Sequence, residues 1–349
     1  MVTRPPDEAD RASEERLDEL RQEAERQGRV GAPGVRAIGA PLPVGGALPG
    51  ASAASGYYGL PLLKHPTWIW TIPIYFFVGG GAGAAAIIAV AARWTRGETP
   101  LARDARRIAI AGGALSPVLL IADLGRPARF LNMLRVIKPQ SPMSVGVWLL
   151  VGFNLTSDAA WVLRFLGRAN DQRLLHSGCC AAADASDVMT AALGAALATY
   201  TGVLLGVSAI PVWAKNIRLL PFHFGVSGLA SASSLLELVH EDPALRRVGI
   251  AAAAAETVVG ALLELDRNRA QEPLKRRTSG TLIRLAGVLS GPVALAIRLL
   301  SGRSRGGNRA AAGVSLAGTL MTRFAWLEAG KQSAEDPGDA LGLTASRPE

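Results

Sequence analysis

Eight apolar runs follow one another between residues 71 and 327, each fifteen to twenty-three residues long, with short polar or charged segments between them. A hydrocarbon core about 30 Å thick is crossed by about 20 apolar residues in a helix. Lipid-exposed backbone must satisfy its own N–H and C=O groups, so an α-helix is the economical way to cross. A series of such runs therefore restricts the chain to an all-α, polytopic membrane architecture of about eight spans. These are Thr71–Ala92, Ile108–Ala122, Ser144–Leu163, Val188–Ile210, Phe222–Val239, Val248–Leu263, Leu282–Leu300 and Ala310–Leu327. The second is short and spans only if Arg106, Arg107 and Asp123 lie at its two interfaces. Eight spans allow two four-helix groups.

Composition agrees. Only 19% of residues are charged and 49% are hydrophobic, against about 25% charged in a soluble domain. Three regions follow: a polar tail and Gly/Pro/Ala-rich linker over 1–64, the membrane domain over 65–328, and a short polar tail over 329–349. A charged helical stretch is expected at Ser13–Arg26, and no apolar signal-peptide core follows Met1. The expected location is the plasma membrane, with multiple passes.

The net charge of +9 is uneven. Residues 1–30 hold six arginines against nine carboxylates, so the excess cations lie in the short loops between apolar runs. Such cations set topology and meet lipid headgroups, and nucleic acid is not an expected partner. The two cysteines are the adjacent pair Cys179-Cys180, too few for an iron–sulfur cluster or a structural zinc. The four histidines do not suggest a bis-His haem.

Parity gives a testable arrangement. With an even number of spans, the segments before span one, after span two and after span eight lie on one face. Three polar, aromatic-bearing stretches (His65–Trp70, Asp123–Lys138 and Arg323–Lys331) should therefore converge. The cations divide too evenly between the loops to orient that face in the membrane.

Each candidate residue has a chemical and a plain reading. Asp123, ending a short span, can exchange a proton with a quinol or cap the loop beside Arg126 or Arg129. His65 can bond a quinone carbonyl and move protons, or be structural. Trp70 belongs equally to an aromatic belt. Tyr200, within span four, can contact a headgroup or a neighbouring helix. Glu237 and Glu256 are intramembrane acids, which usually face a bundle interior. They suit a proton path or structural pairing with Arg284 or a neighbouring backbone. Gly79–Gly83 carries the small-residue spacing of close helix packing.

A resemblance covers much of the chain. Asp123-Leu-Gly-Arg-Pro127, Arg129-Phe130, Asn132-Met-Leu-Arg135 and Lys138-Pro-x-Ser-Pro-Met-Ser144 resemble the signature of the NrfD/PsrC family. These are the integral membrane subunits of polysulfide-reductase-type molybdoenzymes. Trp68-x-Trp70-x-Ile-Pro-x-Tyr-Phe-Phe-x-Gly-Gly80 and Tyr200-Thr-Gly-Val-Leu-Leu205 are similar to its first and fourth helices. Gly318-x-x-x-x-Arg323-Phe324 and Glu328-Ala-Gly-Lys-x-Ser-Ala-Glu-Asp-Pro337 are similar to the C-terminal part of actinobacterial-type members.

The resemblance implies a subunit with neither haem nor iron–sulfur cluster that binds a quinone of the menaquinone type. Electrons would pass through a four-cluster iron–sulfur subunit to or from a molybdenum or tungsten catalytic subunit. It points to His65, Trp70, Asp123 and Tyr200 at the quinone, with Asp123 or His65 exchanging protons. Arg126, Arg129 and Arg135 would dock the iron–sulfur partner. A secondary transporter, with Glu237, Glu256 and Arg284 along a path, and a purely structural anchor remain as alternatives.

Overall fold

The computed structural model describes residues 66–335 and Leu63, except 136, 170–171, 267–273, 276 and 303. The helix expected at Ser13–Arg26, the linker that follows and His65 lie outside the described residues.

Those residues form helices and no strands. They run α1 (Thr71–Arg96), α2 (Pro100–Asp123), the short α3 (Arg129–Leu134), α4 (Pro142–Arg168) and α5 (Arg173–Gly206). There follow the short α6 (Pro211–Lys215), α7 (Leu219–Glu237), α8 (Pro243–Leu265) and α9 (Arg277–Val288). A π-helical turn (Leu289–Val293) leads into α10 (Ala294–Leu300), and α11 (Arg305–Glu335) ends the described chain.

Local chemistry sets the starts. Thr99, Ser141 and Asp242 each precede a proline and accept a backbone N–H of the first turn. This pairs a capping side chain with a residue that has no N–H to satisfy. Gly97 ends α1 at φ 76°, where a side chain would be strained.

Among the described residues, seven helical segments are long and apolar enough to cross a membrane: α1, α2, α4, α5, α7, α8 and the composite Thr278–Leu300. The eighth expected run lies within α11, which is long enough but more polar. Its buried positions include Ser315, Thr319, Thr322, Arg323 and Ser333. Helix neighbours rather than lipid cover this helix, so it needs less apolar surface. It also continues to Glu335, with Ala329, Gly330, Gln332, Ser333 and Ala334 buried. The polar tail expected from residue 329 is therefore helical and largely buried as far as the described chain runs.

The long helices form two groups of four, α1, α2, α4 and α5 against α7, α8, the α9–α10 composite and α11. Contacts of α1 and α5 with α7 join them. Helix α1 is the most enclosed: 67% of its most apolar stretch is buried, against 22% for α2. Its glycines make this possible. A Cβ on Gly194 of α5 would lie 2.6 Å from the Gly83 carbonyl oxygen, and one on Gly228 of α7 would lie 2.8 Å from that of Gly80. Only glycine lets these backbones meet so closely.

Candidate functional site

The expected convergence occurs. The Ile69 N–H donates to Asp123 Oδ1 at 3.1 Å, tying the entry to α1 to the end of α2. Trp68 stacks on Trp213 with ring centroids 5.8 Å apart. Trp213 Nε1 donates to the Trp326 carbonyl at 2.8 Å, and the Val212 N–H donates to Ser333 Oγ at 3.3 Å. The segment around α6, between spans four and five, is thus a fourth participant that parity also places here. Pro211 followed by Trp213 at a span end was its available sequence signal.

Beneath this end lies a narrow, mostly apolar cavity of about 80 Å³. Trp68, Tyr75, Asp123, Met133, Met143 and Tyr200 are among its walls. Two of the expected residues, Asp123 and Tyr200, therefore share one cavity. Trp70 does not reach it; this side chain is 61% exposed and sits where an aromatic belt residue would. Tyr200 donates its hydroxyl to the Pro142 carbonyl. Its ring lies so close to Gly146 that any Cβ there would overlap it. From sequence Tyr75 was read only as a belt aromatic at the start of span one, and Gly146, Met133 and Met143 were not singled out, because their roles depend on which helices meet.

Asp123 is half-buried. Its Oδ1 is occupied by Ile69, and among the described residues Oδ2 has no partner. The cavity thus offers flat apolar walls, a carboxylate oxygen at its rim and a phenol deeper in. Arg126 and Arg135 are exposed on the connector beside it, without an ion pair among the described residues. Arg129 is described only in its backbone.

The intramembrane acids are not paired as expected. Glu237 bonds Arg298 Nη2 at 2.7 Å, fully buried. Arg284 instead meets Glu264 at 2.9 Å on the exposed surface. Arg284 sits 14 positions before Arg298, so sequence offered two arginines and only packing chose between them. Glu256 lies on α8. Ser290, on the π-helical turn, donates to its Oε2 at 3.0 Å, and His223 Nε2 lies 3.4 Å from the same atom. Trp326 Nε1 donates to His223 Nδ1 at 3.2 Å, so this nitrogen carries the lone pair and Nε2 the hydrogen. Arg323, also buried, stands 3.9 Å over the Phe224 ring. Among the described residues no cluster of His, Cys, Asp and Glu could hold a metal ion.

A bundle of apolar helices with a cavity just inside one end defines a multi-pass membrane protein with an interfacial site. Residues 63–241 match the polysulphide reductase, NrfD family, slightly more than half of the chain. The chain belongs to that family. It is 28% identical over 186 residues to the C subunit of polysulfide reductase from Wolinella succinogenes, over 48% of this chain and 56% of that protein. The chain thus spans little more than half the length of that relative. The family match ends at α7, so it holds the whole lining of the cavity and none of α8 to α11.

Proposed function

We propose that the chain is the quinone-interacting membrane subunit of an oxidoreductase complex, exchanging electrons between a quinone pool and an iron–sulfur subunit. The observation that carries this is the gathering of Asp123, Tyr200, Trp68 and Tyr75 around one cavity at the end bearing the arginine-rich connector. A planar ring with polar substituents suits such a site: aromatic walls accept its face, and polar groups at either end fix its orientation. Met133 and Met143 flank the cavity, and unbranched thioether side chains can rotate to widen it.

Oxidation of a quinol releases two electrons and two protons. Asp123 Oδ2 accepts one O–H proton at the cavity rim, the second passes to water at the same interface, and both electrons leave towards the iron–sulfur partner. The exposed Arg126 and Arg135, with Arg129, form the docking surface for that partner, a four-cluster iron–sulfur protein bearing a molybdenum or tungsten catalytic subunit. Menaquinone is the proposed quinone, and the plasma membrane the proposed location. Glu256, near the bundle centre with His223, is the better placed of the two acids for proton movement; Glu237 is committed to Arg298.

The test is Asp123→Asn in the assembled complex. Loss of quinone-linked turnover by about a hundredfold, with metal content and subunit composition unchanged, supports the reading. Unchanged turnover sinks the role of Asp123. A tagged wild-type chain that reproducibly purifies without iron, molybdenum or tungsten, with neighbouring subunits co-expressed, sinks the complex itself.

A further inference from the structure

The opposite end of the bundle holds a second cleft of about 170 Å³, walled by α2 and α4 and floored by Ala86 and Ala89 of α1. Its walls repeat one pattern. Arg103, Arg106, Arg107 and Ile110 follow the i, i+3, i+4, i+7 spacing of one face of α2. Trp161, Arg164, Phe165 and Arg168 follow the same spacing on α4. Five arginines thus face two lining carboxylates, Glu98 and Asp187.

The cations are not equally committed. Arg106 pairs with Glu98 and lies 3.4 Å from Asp187. Arg164 meets Asp184 at 2.8 Å and Asp187 at 2.7 Å. Arg107 meets Asp104 at 2.7 Å. Arg103 and Arg168, both exposed, make no ion pair among the described residues. Among the described residues, these ion pairs engage Arg106, Arg107 and Arg164 and leave the guanidinium groups of Arg103 and Arg168 unpaired. On the same wall Trp161 and Phe165 stack with centroids 6.1 Å apart, 61% and 60% exposed on a membrane-spanning helix.

We propose that this cleft binds an anionic phospholipid. Its phosphate sits between Arg103 and Arg168, and its acyl chains run along Trp161, Phe165 and Ile110. Planar guanidinium groups match phosphate oxygens two at a time, and basic pockets between membrane helices are where anionic headgroups are held. The exposed aromatic pair selects a lipid over a free phosphate, because it supplies an apolar surface directly below the cations. The site is separate from the Asp123 cavity and stands whether or not that cavity binds a quinone.

The test is native mass spectrometry of the full chain, with any subunits that accompany it, in a neutral detergent. The probes are phosphatidylglycerol, phosphatidylcholine and inorganic phosphate. Phosphatidylglycerol should be retained in preference to phosphatidylcholine. The double variant R103Q/R168Q should retain it about tenfold less well, and Trp161→Ala should weaken it with its melting temperature unchanged. If the double variant does not fold, retention by the wild type must still fall with added salt. Equal retention of both lipids, or retention indifferent to both the variants and salt, overturns the proposal. Inorganic phosphate bound as tightly as the lipid, or a subunit that fills the cleft and excludes lipid, overturns it as well.

Discussion

The two ends of the bundle are closed by different chemistry. At the Asp123 end the helices finish in stacked indoles and hydrogen bonds to backbone: Trp68 on Trp213, Trp213 on the Trp326 carbonyl, Ile69 on Asp123. At the other end they finish in ion pairs. Arg93 meets Asp184 at 3.0 Å and Arg305 lies 2.5 Å from Glu241, beside a His240–Asp104 hydrogen bond of 2.9 Å. Arg96 pairs with Asp242. Among the described residues, aromatic closure leaves an apolar slot with one unspent carboxylate oxygen, and ionic closure leaves a polar slot with unspent guanidinium groups. Each end keeps a recess whose character is the remainder of the interactions that seal it, which is why one recess suits a neutral ring and the other an anion.

The contrast can be broken most forcefully at its most buried ion pair. Arg298→Leu leaves Glu237 enclosed without a partner and should cost roughly 3–5 kcal/mol, read as a lower unfolding temperature in detergent. Leucine at both positions should restore most of it, since a buried pair and a well-packed apolar pair are often comparable. A single variant as stable as wild type would mean that the ionic end is held by its surface alone.

At the aromatic end, Gly146→Val drives a side chain into the Tyr200 ring. Overpacking of this kind costs about 1–3 kcal/mol, and quinone-linked turnover should fall further than the helix content measured by circular dichroism. Turnover equal to wild type would detach Tyr200 from the site.

The smallest effect returns to the ionic end. Partial burial pushes the Asp242 carboxyl up, but the backbone N–H groups of Leu245 and Ala244 and the Arg96 guanidinium together hold it below the usual aspartate range. Asp242→Ala should cost about 1 kcal/mol, the usual size of a lost helix cap. The sign of the pH effect follows from the depressed value. The contribution is complete above the ordinary aspartate pKa of about 3.9 and is lost as pH falls through the lower folded value. Unfolding temperatures taken from pH 6 down to pH 3 should therefore converge for wild type and variant.

Much of this was legible in the chain alone. The spans could be placed because a backbone in lipid must be helical and its side chains apolar. Counting them then placed Trp68, Asp123 and Trp326 at one end. Boundaries were read less well. Arg103 to Arg107 look too charged for a span, yet α2 begins at Pro100, where Thr99 caps it, while Glu98 and Asp187 engage Arg106 and Asp104 engages Arg107.

The sequence by itself determined the class of protein, where the long helices fall and which loops share a face, because hydropathy and helix length are local properties. Tertiary structure alone decided the partners. Glu237 takes Arg298 and not Arg284, Tyr200 fits against the missing side chain of Gly146, and Trp213 carries the junction between α1 and α11. These choices depend on the depth and rotation of helices that meet only after folding. A buried charge pairs with whichever opposite charge shares its depth, at whatever distance along the chain.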